Sequence, residues 1–289
     1  MNRQLLMLII EMKKISLLGL LLVFAGYHSA VMADSCDTAS LIYLEAKKEQ
    51  NAQVRLIMLE QSTELCTSFK AYYLEAQTWH ALQQYNKAIG AYEKALLEST
   101  TAKTSALVMA RTAELMIAKG DDFAALGLLR AALDKDPQAP AWIRTLFARI
   151  DTKYASRVVT SSQISRALNP PERSFGVTGG INLRINFALN SDQLDRNGRA
   201  QMQQLGNALK AMTGSFTLIG HTDKQGDKVY NQSLSIRRST SVKRALESQF
   251  SVLRGKLCTQ GEGEANLLYE GDNEAVHKLN RRVEIKLGC

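Results

Sequence analysis

The chain has 289 residues, 45% of them hydrophobic and 22% charged, with a formal net charge of +8 and four cysteines. This balance excludes a disordered low-complexity polymer and gives length enough for one or two domains with real cores. The charge is uneven: residues 34–170 carry 16 basic against 15 acidic side chains, and residues 171–289 carry 17 against 12. No basic patch is interleaved with aromatic residues, so nucleic acid is not the expected partner of the basic second half.

The chain begins with a targeting signal. Lys13 and Lys14 precede the apolar run from Ile15 to Ala25, and Val31-Met32-Ala33 offers small residues where signal peptidases cut. Residues 1–33 are therefore read as a secretory signal peptide, with Met12 as an alternative start. The run is short for a lasting transmembrane helix, and Asp34-Ser35 before Cys36 does not resemble a lipobox. A soluble exported protein is expected.

Export puts Cys36, Cys66, Cys258 and Cys289 in an oxidising compartment, and their spacing matches no metal site. Cys36 opens the first helical segment and Cys66 closes the second, so an antiparallel helix pair brings them together. Cys258 and Cys289 flank the last two strand candidates, as an antiparallel pairing of those strands requires. Two disulfides are expected, Cys36 with Cys66 and Cys258 with Cys289; buried free thiols are the alternative.

Residues 34–157 are helical in pattern, with few glycines and with Pro137 and Pro140 as breakers. Tyr85, Ala88, Tyr92, Ala95 and Leu96 recur approximately as Ala125, Leu129, Ala132, Leu133 and Pro137, a period close to the tetratricopeptide length. Two tetratricopeptide-like repeats and a degenerate third over Thr38 to Leu65 are expected, with generic helical hairpins as the alternative. Residues 158–179 hold Ser161-Ser162, Pro170-Pro171 and Gly179 and read as a linker, with room for a short helix from Gln163 to Leu168.

The second half alternates. Ile181 to Phe187 reads as a strand, Asp195 to Met212 as an amphipathic helix, and Phe216 to Gly220 as a second strand. A further helix follows, then a strand at Leu257 to Gly261, a long loop through Asp272, and a strand at Val283 to Leu287. The order β-α-β-α-β-β predicts an α/β sandwich with helices on one face.

One stretch carries the candidate chemistry. Ser235 is read as the N-cap of the helix, which places Arg237 and Arg238 at its positive end, an unfavourable position that a bound anion would relieve. Asp223, at the end of the preceding strand, adds an acceptor for an ammonium, so the pair suits a zwitterion such as an amino-acid end group. His221, Asp223 and Ser235 are also the residue types of a hydrolytic triad. A capping serine without a nucleophile-elbow pattern argues for binding rather than catalysis.

Gly220-His221-Thr222-Asp223, Gly226, Asn231, Leu234-Ser235 and Arg238, with Asn280-Arg281-Arg282-Val283 far downstream, closely resemble the OmpA-like peptidoglycan-binding family. Phe187, Ser191 and Leu194 match its opening motif, and the resemblance spans about Gly180 to Leu287. It implies an OmpA-like βαβαββ sandwich at residues 180–289 behind an all-helical tetratricopeptide-like repeat domain. It also implies that Asp223 and Arg238 hold the diaminopimelate of a peptidoglycan stem peptide, with Asn231, Thr222, Asn190 and Arg282 as further site residues. Ser239 departs from the family's usual alanine. The expected protein is periplasmic, in a Gram-negative bacterium, attached to the wall or associated with the outer membrane, with a protein partner for its helices. It needs no cofactor or metal. An adaptor whose helices carry the main function is the second reading, and a wall hydrolase the third. A flagellar stator is disfavoured, because the N-terminal apolar run has no acidic residue.

Overall fold

The computed structural model describes residues 35–169, 179–187 and 191–289. The expected signal peptide, Pro170-Pro171 and Asn190 lie outside the described residues.

Seven helices open the described chain: α1 (Ser35–Lys48), α2 (Ala52–Leu65), α3 (Phe69–Ala81), α4 (Tyr85–Leu97), α5 (Ala102–Ala118), α6 (Asp122–Lys135) and α7 (Ala141–Lys153). They pack as consecutive hairpins, α1 with α2, α3 with α4 and α5 with α6. Polar side chains set the boundaries: Asn51 Oδ1 accepts from the Gln53 and Val54 amides, and Thr101 with Thr104 forms a capping box at α5. Gly120, at φ 79°, turns the chain from α5 into Asp121, which caps α6. Fully buried Ala88, Ala95, Ala106, Ala110 and Ala113 hold the helices close, with Tyr92 filling the space between them. The first hairpin centres on a separate small core of Ala46, Leu59 and Ala71, and the Cys36–Cys66 disulfide, Cα to Cα 4.9 Å, closes it.

The stretch read as a linker is partly core. Helix α8 (Ser161–Leu168) starts at a Thr160–Gln163 capping box and buries Ile164, Ala167 and Leu168 completely. Gly127 of α6 lies so close that a Cβ there would stand 2.0 Å from the Ala167 carbonyl oxygen. Ser, Pro and Gly mark the ends of this stretch, while Ile164, Ala167 and Leu168, spaced three and four apart, form an apolar stripe that needs a partner.

Strand β1 (Gly180–Leu183) is followed by α9 (Arg196–Lys210), β2 (Phe216–His221), α10 (Lys228–Gln249), β3 (Leu257–Gly263), α11 (Glu274–Asn280) and β4 (Arg282–Leu287). The sheet order is β1-β4-β2-β3, with β2 parallel to β3 and β4 antiparallel to β1 and β2. The βαβαββ order holds, with α11 added inside the long loop. The first strand stops at Leu183 rather than Phe187, because its partner β4 begins at Arg282, opposite the last paired residues; Phe187 instead bridges Leu194.

Two corrections follow from this topology. Cys258 and Cys289 are bonded, Cα to Cα 5.7 Å, but β3 and β4 are not neighbours. The bridge spans the start of β2, where Phe216 pairs with both Leu257 and Leu287. Ser235 is not a helix cap. Asp227, after Gly226 at φ 95°, caps α10 through the Tyr230 amide at 2.9 Å, so Ser235 lies two turns inside the helix and Arg238 about three.

Helix α10 lies on β2 and β3, where Gly220 and Gly261 admit the Ser235 backbone and side chain. Along β4, Val283 and Ile285 are buried hydrophobic residues, and Arg282, Glu284 and Lys286 alternate with them on the opposite face. Helix α6 comes against β1 and sends Arg130 and Asp134 to Glu284 and Lys286. No helix among the described residues is long and apolar enough to cross a membrane.

Candidate functional site

Where β2 ends, the chain passes from His221 through Thr222 to Asp223, all buried. The Thr222 amide donates to the Gly263 carbonyl at 2.8 Å, which pins the turn, and its buried Oγ1 has no hydrogen-bond partner among the described residues. Asp223 Oδ1 accepts from the Gln225 amide at 2.9 Å, and Oδ2 lies 2.6 Å from Arg281 Nη1. Asn231 is buried and braces this turn, donating to the Gln225 carbonyl at 3.0 Å and to Glu264 at 2.9 Å.

Beside the turn is a cleft of about 170 Å³ lined by Phe187, Asp195, Arg238, Lys278, Arg281 and Arg282, among others. Arg238 Nε donates to the Ser191 carbonyl at 3.3 Å and the guanidinium lies 5.0 Å from the centre of the Phe187 ring. No carboxylate among the described residues comes within ion-pair distance of it. Its pKa is lowered, first by burial and then by the nearby Arg281 charge, with Asp223 opposing. Arg281 differs: burial acts against its charge, but hydrogen bonds to Glu274 and Asp223 outweigh that and raise its pKa. Arg282 is almost fully buried, held by Asn182 Oδ1 and the Asn280 and Asn266 carbonyls, and burial brings its pKa down to about 9.

The structure thus gathers Asp223, Arg238, Asn231, Thr222 and Arg282 at one end of the sheet, and Asn190 lies outside the described residues. It also removes one argument for the site. Arg238 is not at a helix N-terminus, and the reason its charge is poorly accommodated is desolvation beside another arginine, not the helix dipole. The triad residues do not form a relay: Ser235 Oγ donates to Gln232 O at 2.8 Å and accepts from the Gly263 amide at 2.9 Å, while His221 Nε2 stands 3.4 Å from Glu284. Asp223, expected at the end of the strand, lies two residues beyond β2, which ends at His221. Sequence reasoning passed over Arg281, the arginine that meets Asp223. Its signal was present in the period of β4: with Arg282 and Glu284 on one face, Arg281 just before the strand is free to turn elsewhere.

The fold is an α/β domain with a polar cleft at one end of its sheet, preceded by an array of helical hairpins. The OmpA-family model matches residues 186–281. The outer-membrane lipoprotein YfiB of Pseudomonas aeruginosa is 32% identical over 114 residues, 39% of this chain and 67% of that protein. Outer membrane porin F of the same organism is 29% identical over 108 residues, 37% of this chain and 31% of that one. The solved cell wall anchor of the T6SS from Pseudomonas aeruginosa aligns at 22% identity over 38% of this chain and 78% of its own, with a TM-score of 0.34. Through its C-terminal domain the chain belongs to the OmpA family; the helical hairpins lie outside the matched residues.

Proposed function

We propose that this chain is a non-catalytic periplasmic anchor whose C-terminal domain binds the diaminopimelate of peptidoglycan stem peptides. The observation that carries the reading is Arg238, a partly buried guanidinium with no acidic partner among the described residues, lining a cleft together with Arg281, which is itself paired with Asp223. An arginine fork receives a carboxylate, and Asp223 receives the ammonium of the same stereocentre. Arg281 neutralises Asp223 while the site is empty, and its second partner, Glu274, holds it when an ammonium arrives. Thr222 Oγ1 and Asn231 supply further polar contacts, and Arg282 shapes the floor. The names of the relatives, an outer-membrane lipoprotein and an outer membrane porin, support a place in a Gram-negative cell envelope.

Residues 34–157 act in this proposal as tetratricopeptide-like repeats presented to a protein partner, joined to the wall-binding domain at residues 180–289. The adaptor reading has one observation in its favour: a groove of about 520 Å³ between α1, α3 and α5, lined by Tyr43, Leu44 and Phe69, with Leu41 exposed nearby. The deciding experiment is co-sedimentation of the mature protein with purified sacculi, with diaminopimelate-containing and lysine-containing stem peptides as competitors, since within a stem only diaminopimelate keeps an ammonium and a carboxylate on one free carbon. Release by the diaminopimelate-containing peptide but not by the lysine-containing one is expected. Equal release by both, or no sedimentation, overturns the proposal.

A further inference from the structure

His221 lines two cavities at once. On one side it reaches the ligand cleft beside Arg282, and on the other a cavity of about 340 Å³ between the sheet and the helical hairpins, with Arg130 and Glu284. Four charged side chains and His221 meet at the second: Arg130 Nε lies 2.7 Å from Glu284 Oε1, Lys286 Nζ 3.3 Å from the same oxygen and 2.8 Å from Asp134, and His221 Nε2 3.4 Å from Glu284 Oε2. Glu284 and His221 are almost fully buried, and Arg130 is the cation that α6 brings to them.

A buried carboxylate left with one fewer cation is costly and readjusts its other partners. Here those partners include His221, whose ring forms part of the cleft wall and whose β4 neighbour in register is Arg282. Arg130 contacts nothing in the cleft itself, and Gly180 lies against its stem, where a Cβ would stand 3.1 Å from Arg130 Cγ.

We propose that Arg130, supplied by the helical unit, is a positioning residue for the ligand cleft: it holds Glu284, and through Glu284 fixes His221 and Arg282, so that ligand affinity depends on the docked helices. This rests on the reading of the cleft as the diaminopimelate site. The helical hairpins are then part of the binding device and not a tethered cargo arm. Burial, Arg282 and Arg130 all lower the His221 pKa, and Glu284 opposes them. Removing Arg130 shifts that balance toward a protonated ring. The charged groups lining the two cavities with His221 are Arg282, Glu284 and Lys286 on β4, Arg130 and Asp134 on α6, Arg144 on α7, Glu262 on β3, and in the cleft Asp195, Arg238, Lys278 and Arg281.

The test uses the full mature chain with three variants, Arg130→Met, Arg130→Lys and Asp223→Asn. Affinity is measured for a soluble diaminopimelate-containing muropeptide, and the His221 imidazole is titrated by NMR. Arg130→Met keeps the packing stem and removes the charge. It should weaken binding by about twofold to thirtyfold, the range for residues coupled to a site they do not touch, and raise the His221 pKa. Arg130→Lys should restore both readouts toward wild type, which keeps the test decisive if the Met variant folds poorly. Wild-type affinity and an unmoved His221 titration in Arg130→Met, with Asp223→Asn impaired, overturn the positioning role alone. An unimpaired Asp223→Asn overturns the site reading beneath it.

Discussion

Arg281 and Asp223, 58 residues apart in sequence, meet at 2.6 Å, while Arg238, which lines the same cleft as Arg281, has no acidic partner among the described residues. The three charges leave the empty site with an excess guanidinium. In the proposed complex the ligand carboxylate gives Arg238 the counter-charge it lacks, and the ligand ammonium sits beside Asp223.

Arg238→Ala should therefore weaken sacculus binding by roughly tenfold to hundredfold, the worth of a charge-assisted fork of about 1.5 to 3 kcal/mol, and Asp223→Asn should act similarly. Because the unliganded Arg238 is desolvated next to Arg281, its removal should leave the free protein as stable as wild type or slightly more so. Paired binding and thermal-melt measurements check this. Normal binding with a lowered melting temperature would assign Arg238 a structural role.

Acid should unfold the protein through the buried network before it discharges the surface. His221 has a pKa lowered from 6.5, so stability is lost as pH falls below that value, where the unfolded chain takes the proton first. Glu284 is held down to about 2 from 4.5, and its contribution, complete above 4.5, is lost as pH falls through that window. Urea midpoints followed downward from neutral pH should decline in both intervals. His221→Gln should abolish the upper decline, and a variant that keeps it refutes the assignment.

Helix α8 should behave as core although its flanks look like linker. Leu168→Ala removes a fully buried side chain and is expected to cost about 2 to 5 kcal/mol, read as a lower urea midpoint. A cost under about 0.5 kcal/mol, as for a surface site, would mean that α8 does not dock in solution.

Peptide mapping without reductant should recover Cys36 joined to Cys66 and Cys258 joined to Cys289. Reduction should destabilise each region by roughly 3.6 kcal/mol, the chain-entropy value for loops of about 30 residues. A bridge between the two halves would contradict both the pairing and the fold.

Much of this was legible in residue order. Alternation and breakers marked the βαβαββ elements, because a strand half-buried in a sheet writes period two and a helix on its face writes a stripe. The motif from Gly220 to Arg238 is local, so its chemistry could be read before its geometry. Both cysteine pairs were found, although the second for the wrong reason: strand order is a long-range choice, and nothing in Leu257 to Cys289 says that β2 will lie between β3 and β4. Helix N-caps compete over a few residues, and Asp227 outdid Ser235 because a glycine at positive φ precedes it. What only the tertiary structure decided is which charges meet. Arg281 finds Asp223 from beyond a loop and a helix, and Arg130 finds Glu284 from the other half of the chain, since ion pairs depend on distance in space and leave no period in sequence.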